Sequence, residues 1–232
     1  MNALLEKFNK YKSVIFDCDG VLIDSNSLKT EAFFEYALFA GKDKANLLVN
    51  YHIKNGGISR YDKIKYFFNE IIHKDLSKRE LNQQANLYGK LVFEKLLKAK
   101  VTRGLEVLRR INQTADWYVV SGGDQKELIK LFEINGLNSF FPQRVFGSPK
   151  SKEKIIIDGK KKNFFKRPLL FIGDSKYDMM VARKFKMDFI FLSDWSEWIP
   201  ARYKEMIKFK SIQELSNNLN KYHTKMLRDN ID

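Results

Sequence analysis

The chain is short of everything that staples a small fold or anchors one in a membrane. It has a single cysteine, Cys18, so no intramolecular disulfide can form. No stretch approaches the roughly 20 consecutive apolar residues of a membrane span. Met1 to Tyr11 alternates charged and apolar residues, which predicts a short amphipathic lead-in helix and offers no apolar block of a secretory leader. A cytoplasmic location with no membrane partner is the expectation. Zinc-ligand spacing, an aromatic-rich RNA signature, internal repeats and low-complexity linkers are all missing. Acidic residues are outnumbered, 28 against 42 basic, for a net charge of +14. Such a balance can accompany nucleic-acid binding, yet the lysines are scattered and cluster only at Lys160, Lys161 and Lys162. The charge reads as a solvated surface that also draws in anionic substrates, with no nucleic-acid partner expected. The 232 residues, 44% of them hydrophobic, suffice for one sizeable core, or a core plus a small second domain.

The stretch from Lys12 to Ser25 organises what is there. Val14, Ile15 and Phe16 form a β-branched and aromatic run that reads as a buried strand. It runs into Asp17 and Asp19, and Gly20 lets the backbone turn away. Carboxylates at i and i+2 project to the same side, are rarely buried without partners, and repel one another when close. A divalent cation with a taste for oxygen ligands, such as Mg²⁺, relieves that repulsion. Cys18, between them, reads as a small residue packed behind the loop.

From Ser27 to about Lys98 the pattern is helical throughout. Helices are predicted over 28–40, 44–52, 60–72 and 78–97, with Ser59 and Ser77 as N-caps and Glu80 completing a capping box with Ser77. Leu87, Leu91, Phe93 and Leu97 recur at helical spacing and are assigned to the core. After Gly104 strands and helices alternate. Strands are predicted over 117–120, 144–146, 169–172 and 189–192, and helices over 105–111, 126–135, 152–163 and 177–185, followed by two closing helical stretches. Alternation of this kind predicts an α/β fold with a parallel sheet covered on both faces. The helical block interrupts that sheet just after the aspartate loop and must sit over it. The division expected is a core of residues 1–25 and 102–232 with an inserted all-helical cap of 26–101, hinged at 23–26 and 99–103.

Three more strand ends carry polar residues where an anion would sit. The strand over 117–120 opens into Ser121-Gly122-Gly123, a hydroxyl and free N–H groups at a helix start. The strand over 144–146 leads to Gly147-Ser148-Pro149-Lys150-Ser151-Lys152-Glu153-Lys154. The strand over 169–172 leads to Gly173-Asp174-Ser175, with Asp178 one helical turn further on the same face.

Together these stretches resemble, in order, the four signatures of the haloacid dehalogenase superfamily of phosphotransferases. Asp17, Asp19, Gly20, Asp24 and Ser25 match the first, Asp-x-Asp-Gly-x-x-x-Asp-Ser; Gly173, Asp174, Ser175 and Asp178 match the fourth. The resemblance covers nearly the whole chain. It implies a Rossmann-like, doubly wound sheet with a helical cap inserted after the first motif, similar to β-phosphoglucomutases and phosphoglycolate phosphatases. It further implies Asp17 as nucleophile and Asp19 as general acid and then base, with a backbone carbonyl for Mg²⁺. Asp174 would bind the metal, and Asp178 would ligate it through water or orient the lysine of the third motif. Ser121, with Gly122 beside it, would bind phosphoryl oxygens. Lys152 is favoured as the lysine, with Lys150 second and Lys154 a solvated side chain. An acid at Asp19 argues against carbon–halogen cleavage.

Within the cap, Asn55-Gly-Gly-Ile-Ser-Arg-Tyr-Asp-Lys63 is similar to the substrate loop of β-phosphoglucomutases, which implies that Ser59 and Arg60 face the substrate. Arginine suits phosphate through its bidentate fork. Three readings stay open. The first is a Mg²⁺-dependent phosphatase for a small phosphorylated metabolite such as a sugar phosphate. The second is a sugar-phosphate mutase, and the third a non-catalytic binding or regulatory module.

Overall fold

The computed structural model describes residues 6–200 and 206–229. Its sheet has six parallel strands: β1 Ser13–Phe16, β2 Asp116–Asp124, β3 Val145–Ser148, β4 Leu169–Gly173, β5 Asp188–Leu192 and β6 Ile207–Phe209. Four helices follow β1: α1 Asn26–Ala37, α2 Lys42–Lys54, α3 Arg60–Tyr66 and α4 Lys78–Leu96. Five more alternate with the strands: α5 Leu105–Ile111, α6 Gln125–Ile134, α7 Lys152–Lys161, α8 Lys176–Lys184 and α9 Ile212–Asp229. The strand order is β3-β2-β1-β4-β5-β6, so the chain begins mid-sheet and winds outward both ways. Ligands of such sheets settle beyond the strands' carboxyl ends where the winding reverses, which here is at β1.

Side chains alternate across each strand. Val14, Phe16, Trp117, Val119, Leu170 and Ile172 pack on one face; Ile15, Tyr118, Val120, Leu169 and Phe171 pack on the other. Leu105, Leu128 and Leu215 of α5, α6 and α9 cover the first face, and Ile155, Ile156 and Val181 of α7 and α8 cover the second. Both faces are dry, which is why these strands read as continuous apolar runs. Each such side chain contributes about 1.5–3 kcal/mol.

The α1–α4 block holds together through aromatic packing, with Phe33 and Tyr88 stacked at 4.0 Å. The predicted capping box of Ser77 and Glu80 is present, and Ser59 caps α3, which continues as a wider-turned helix over Phe67–Ile72. The two connecting segments run side by side. Asp24 N–H donates to the Lys100 carbonyl and Thr102 N–H to that of Leu22, each at 2.9 Å.

Two expectations need correction. The buried stripe of α4 is Ala85, Tyr88, Gly89, Val92 and Leu96, while Leu87, Leu91 and Leu97 are exposed. Periodicity sets the spacing of a stripe but not its phase, and the small Ala85 and Gly89 are what admit close neighbours. Of the two closing helical stretches, the described residues contain one, α9; Ile207–Phe209 pairs with β5 instead, too short a run to declare its period. The predicted lead-in helix falls partly on residues 1–5, outside the described ones; of the rest, residues 6–7 are helical and Phe8–Lys10 continue as a tighter helical turn. Among the described residues no helix is long and apolar enough to cross a membrane.

Candidate active site

Sheet register brings the motif residues level. Phe16 pairs with Val119 on one side and Ile172 on the other, so Asp17, Ser121 and Asp174 emerge together at the carboxyl edge. The loop after β1 folds tightly, the Cys18 carbonyl accepting from Leu22 N–H at 2.8 Å and Ile23 N–H at 3.0 Å. Gly20 sits in this loop at φ 72°, and a Cβ there would collide with the Asp174 carboxylate and the Asn26 amide. Gly20→Ala is therefore expected to cost about 1–3 kcal/mol from backbone strain alone, and to push Asp174 out of place. Denaturant unfolding, with and without Mg²⁺, would measure both.

Asp17, Asp174 and Asp178 are buried, with carboxylate oxygens within 4.8 Å of one another. Lys152, itself buried, bridges two of them: its Nζ lies 2.7 Å from Asp17 and 2.6 Å from Asp178. Asp178 spends its other oxygen on the Ser175 hydroxyl, at 2.7 Å, so it holds Lys152 while capping α8. Burial and the neighbouring carboxylates push the Asp17 and Asp174 carboxyls well above the usual range, Lys152 opposing. Burial opposes the charge of Lys152, but Asp17 and Asp178 outweigh it and keep the ammonium protonated. Three acids against one lysine leave the cluster short of positive charge. All-oxygen donors of this kind fit a hard divalent cation.

Asp19 is held apart from this cluster. Its carboxylate meets Lys29 Nζ and the Ser25 hydroxyl, each at 2.6 Å, and the Ser121 hydroxyl at 3.5 Å. Burial alone would raise its carboxyl, but Lys29 and Ser25 outweigh that and hold it below the ordinary value. Ser121 also accepts from Gly123 N–H at 2.9 Å. Gly122 touches the α1–α4 block: a Cβ on it would strike the Gly57 carbonyl. The Gly56-Gly57 turn thus lies directly over the strand ends.

The other predicted residues are placed differently. Lys150 points away to solvent and pairs with Asp158 at 2.7 Å, as Lys154 does at 3.2 Å; neither reaches the site. Ser59 is spent on its own helix, accepting from Asp62 N–H and donating to the Asp62 carboxylate at 2.6 Å. Arg60 lines the cavity, but its fork grips both oxygens of Glu127 on α6, one contact measuring 2.7 Å. The pair ties the helical block to the sheet, and Gly89 of α4 makes room for it, since a Cβ there would press on both partners. Gly→Ala inside an exposed helix gains about 1 kcal/mol. Here Gly89→Ala is expected to lose about 1–3 kcal/mol instead, by stranding a buried charged pair. Hydrogen exchange should show faster opening of α3 and α4 with the sheet unchanged.

Sequence reasoning missed the rest of the cavity wall. Asn26 donates to Asp174 at 2.6 Å, Thr30 donates to Glu197 at 2.7 Å, and the Lys63 ammonium lies 2.7 Å from His52 Nδ1. Lys29, Asn26 and Thr30 share one face of α1 just after the first motif, a signal that was available. Glu197, on the loop beyond β5, carried none.

The family described as haloacid dehalogenase-like hydrolase matches residues 14–192. A search of curated proteins gives no match. Among solved structures, a hydrolase from Pseudomonas syringae is similar at TM-score 0.68 and 19% identity, over 90% of this chain and 98% of that one. A β-phosphoglucomutase from Clostridium difficile is similar at TM-score 0.66 and 16% identity, over 92% and 99%. A predicted phosphoglycolate phosphatase from Haemophilus somnus follows at TM-score 0.65 and 17% identity, over 90% and 98%. At these identities the structures share a fold.

Proposed function

The chain belongs to the haloacid dehalogenase-like hydrolases, and on that footing we propose that it is a Mg²⁺-dependent phosphatase acting on a small phosphomonoester, such as a sugar phosphate, through an aspartyl-phosphate on Asp17. The observation that carries this reading is the buried Lys152 bridging Asp17 and Asp178 beside Asp174, with Asp19 held separately two residues on. A carboxylate nucleophile, a fixed cation and a second carboxyl outside the cluster are what phosphoryl transfer to and from an enzyme demands.

Asp17 attacks phosphorus in line, forming its Oδ–P bond as the bond to the leaving oxygen breaks. Asp19 gives that oxygen a proton, which requires it to exchange Lys29 and Ser25 for the substrate. In the second half Asp19 takes a proton from water; the water oxygen bonds to phosphorus and Asp17 is released. Lys152 and Ser121 stabilise charge on the transferring oxygens. Asp17, Asp174 and the Asp19 carbonyl would hold the cation, which supplies positive charge to the phosphoryl oxygens when bound. Asp178 acts through Lys152.

A sugar-phosphate mutase would use the same residues. The cap contacts that close the site, Arg60 with Glu127 above all, favour it by shielding Asp17 from water. Phosphate release from a panel of phosphorylated sugars, nucleotides and small acids, with Mg²⁺ and with EDTA, separates the two. Mg²⁺-dependent release, lost with EDTA, supports the phosphatase. No release, but isomerisation of a hexose 1-phosphate that needs a bisphosphate activator, would replace it with the mutase.

A further inference from the structure

Lys63 of α3 is 4% exposed and lines the same cavity as Asp17 and Asp19. Three other cations of this site each grip a carboxylate: Lys29 holds Asp19, Arg60 holds Glu127 and Lys152 holds Asp17. Lys63 grips none. Among the described residues its hydrogen-bond partner is His52 Nδ1, at 2.7 Å, with the Phe33 ring 5.6 Å away. Burial, with Lys63 and Lys29 nearby, keeps the His52 imidazole neutral. Nδ1 is then an acceptor, and the other ring nitrogen faces Glu197 at 3.8 Å. The histidine therefore aims the ammonium without neutralising it. Burial and then the Lys29 charge pull Lys63 down to about 7, the mark of a cation short of a counter-ion. Of the acids near it, Asp19 is taken by Lys29, and Glu197 accepts from Thr30.

A buried ammonium without an anion is costly, which leaves Lys63 poised between amine and ammonium near neutral pH; an incoming anion would hold it charged. Resting on the phosphomonoester reading, we propose that Lys63, aimed by His52, receives a second anionic group of the substrate, a carboxylate or a second phosphate at the end remote from the phosphoryl group that Asp17 takes. This assigns to Lys63 the role that the sequence suggested for Arg60, whose fork is spent on Glu127. The substrate class is then a phosphomonoester with two anionic ends, rather than a neutral sugar monophosphate.

The test is calorimetric titration of the full chain, with Mg²⁺, against three non-hydrolysable alkyl phosphonates of one carbon skeleton. They end in a hydroxyl, a carboxylate and a second phosphonate. Wild type is expected to bind at least one anion-ended member about tenfold or more tighter than the hydroxyl-ended one, the scale of one charge-assisted hydrogen bond. Which member wins distinguishes carboxylate from phosphate. Lys63→Met should close the gap, and Lys63→Gln, which keeps a polar contact to His52, should close it too and serves if the first variant misfolds. Lys63→Met relieves a poorly compensated cation but leaves His52 Nδ1 without its partner, so thermal melts of both variants serve as the folding control. Equal affinity for all three, no binding of any, or a gap that survives both substitutions would overturn the proposal. Phosphate release from the matching phosphate esters is read in parallel. A binding gap without release sinks the phosphatase reading alone; release without a gap sinks this one alone.

Discussion

Asp17→Asn is expected to lower phosphate release by about 10⁴-fold or more in kcat, the scale on which removing a nucleophile costs an enzyme, without unfolding the protein. The amide keeps the shape and the contact with Cys18 N–H, which Asp17 accepts at 2.7 Å, but it cannot form the Oδ–P bond. Stability should move the other way from activity. Burial and the Asp178 charge already press on the Asp17 carboxyl, so a neutral amide relieves repulsion and Tm in EDTA should hold or rise. Wild type should in turn gain more Tm from added Mg²⁺ than the variant, because binding to the folded state stabilises by mass action and the variant has lost a ligand. Thermal melts with and without Mg²⁺, beside the rate measurement, check all three. Activity within tenfold of wild type would remove Asp17 from the nucleophile's role. A collapse of Tm would make its contribution structural.

Lys152→Met should be damaging on both counts, with about 3–5 kcal/mol lost in stability from stranding buried carboxylates and about 10²–10³-fold lost in kcat from removing a fixed charge at the transferring oxygens. Lys152 is the hub of the cluster, fully buried and within ion-pair distance of Asp17 and Asp178 at once. Without it three acids face each other uncompensated. Mg²⁺ should restore part of the stability, since it supplies the missing charge, but little of the rate, since Asp178 then has nothing to orient. Denaturant unfolding in EDTA and in Mg²⁺ gives the comparison. A variant as stable as wild type in EDTA would mean that the cluster is protonated in the free protein and that Lys152 is no counter-ion. The contrast with Lys63→Met is instructive. Both lysines are buried, yet Lys152→Met should destabilise far more than Lys63→Met, because Lys152 has its anions in place and Lys63, among the described residues, grips none.

Local pattern settled a good deal of this molecule. The β-branched runs ending in Asp17, Ser121 and Asp174 were legible as strands, the capping box at Ser77 and Glu80 as a helix start, and the motif order as a parallel sheet with its site at one edge. These features depend on residues within a few positions of one another, where backbone geometry leaves few choices. Lys152 was preferred over Lys150 from the family resemblance, as the lysine of a Ser-Pro-x-x-Lys variant at the first turn of α7, and it lies between Asp17 and Asp178.

Tertiary structure alone decided the partners. Arg60 and Glu127 are 67 residues apart in sequence, and nothing local says that the fork meets α6 rather than the substrate. The α4 stripe could have been phased on Leu87 and Leu91 as well as on Tyr88 and Val92; contact with Phe33 and Arg60 chose the second. Lys63, His52 and Glu197 come from three separate elements and form a cavity wall only when the helical block closes on the sheet. A long charged side chain can satisfy itself with any opposite charge in reach. Its role is set by which one the fold delivers first, and by whether, as at Lys63 among the described residues, the partner delivered is a neutral imidazole.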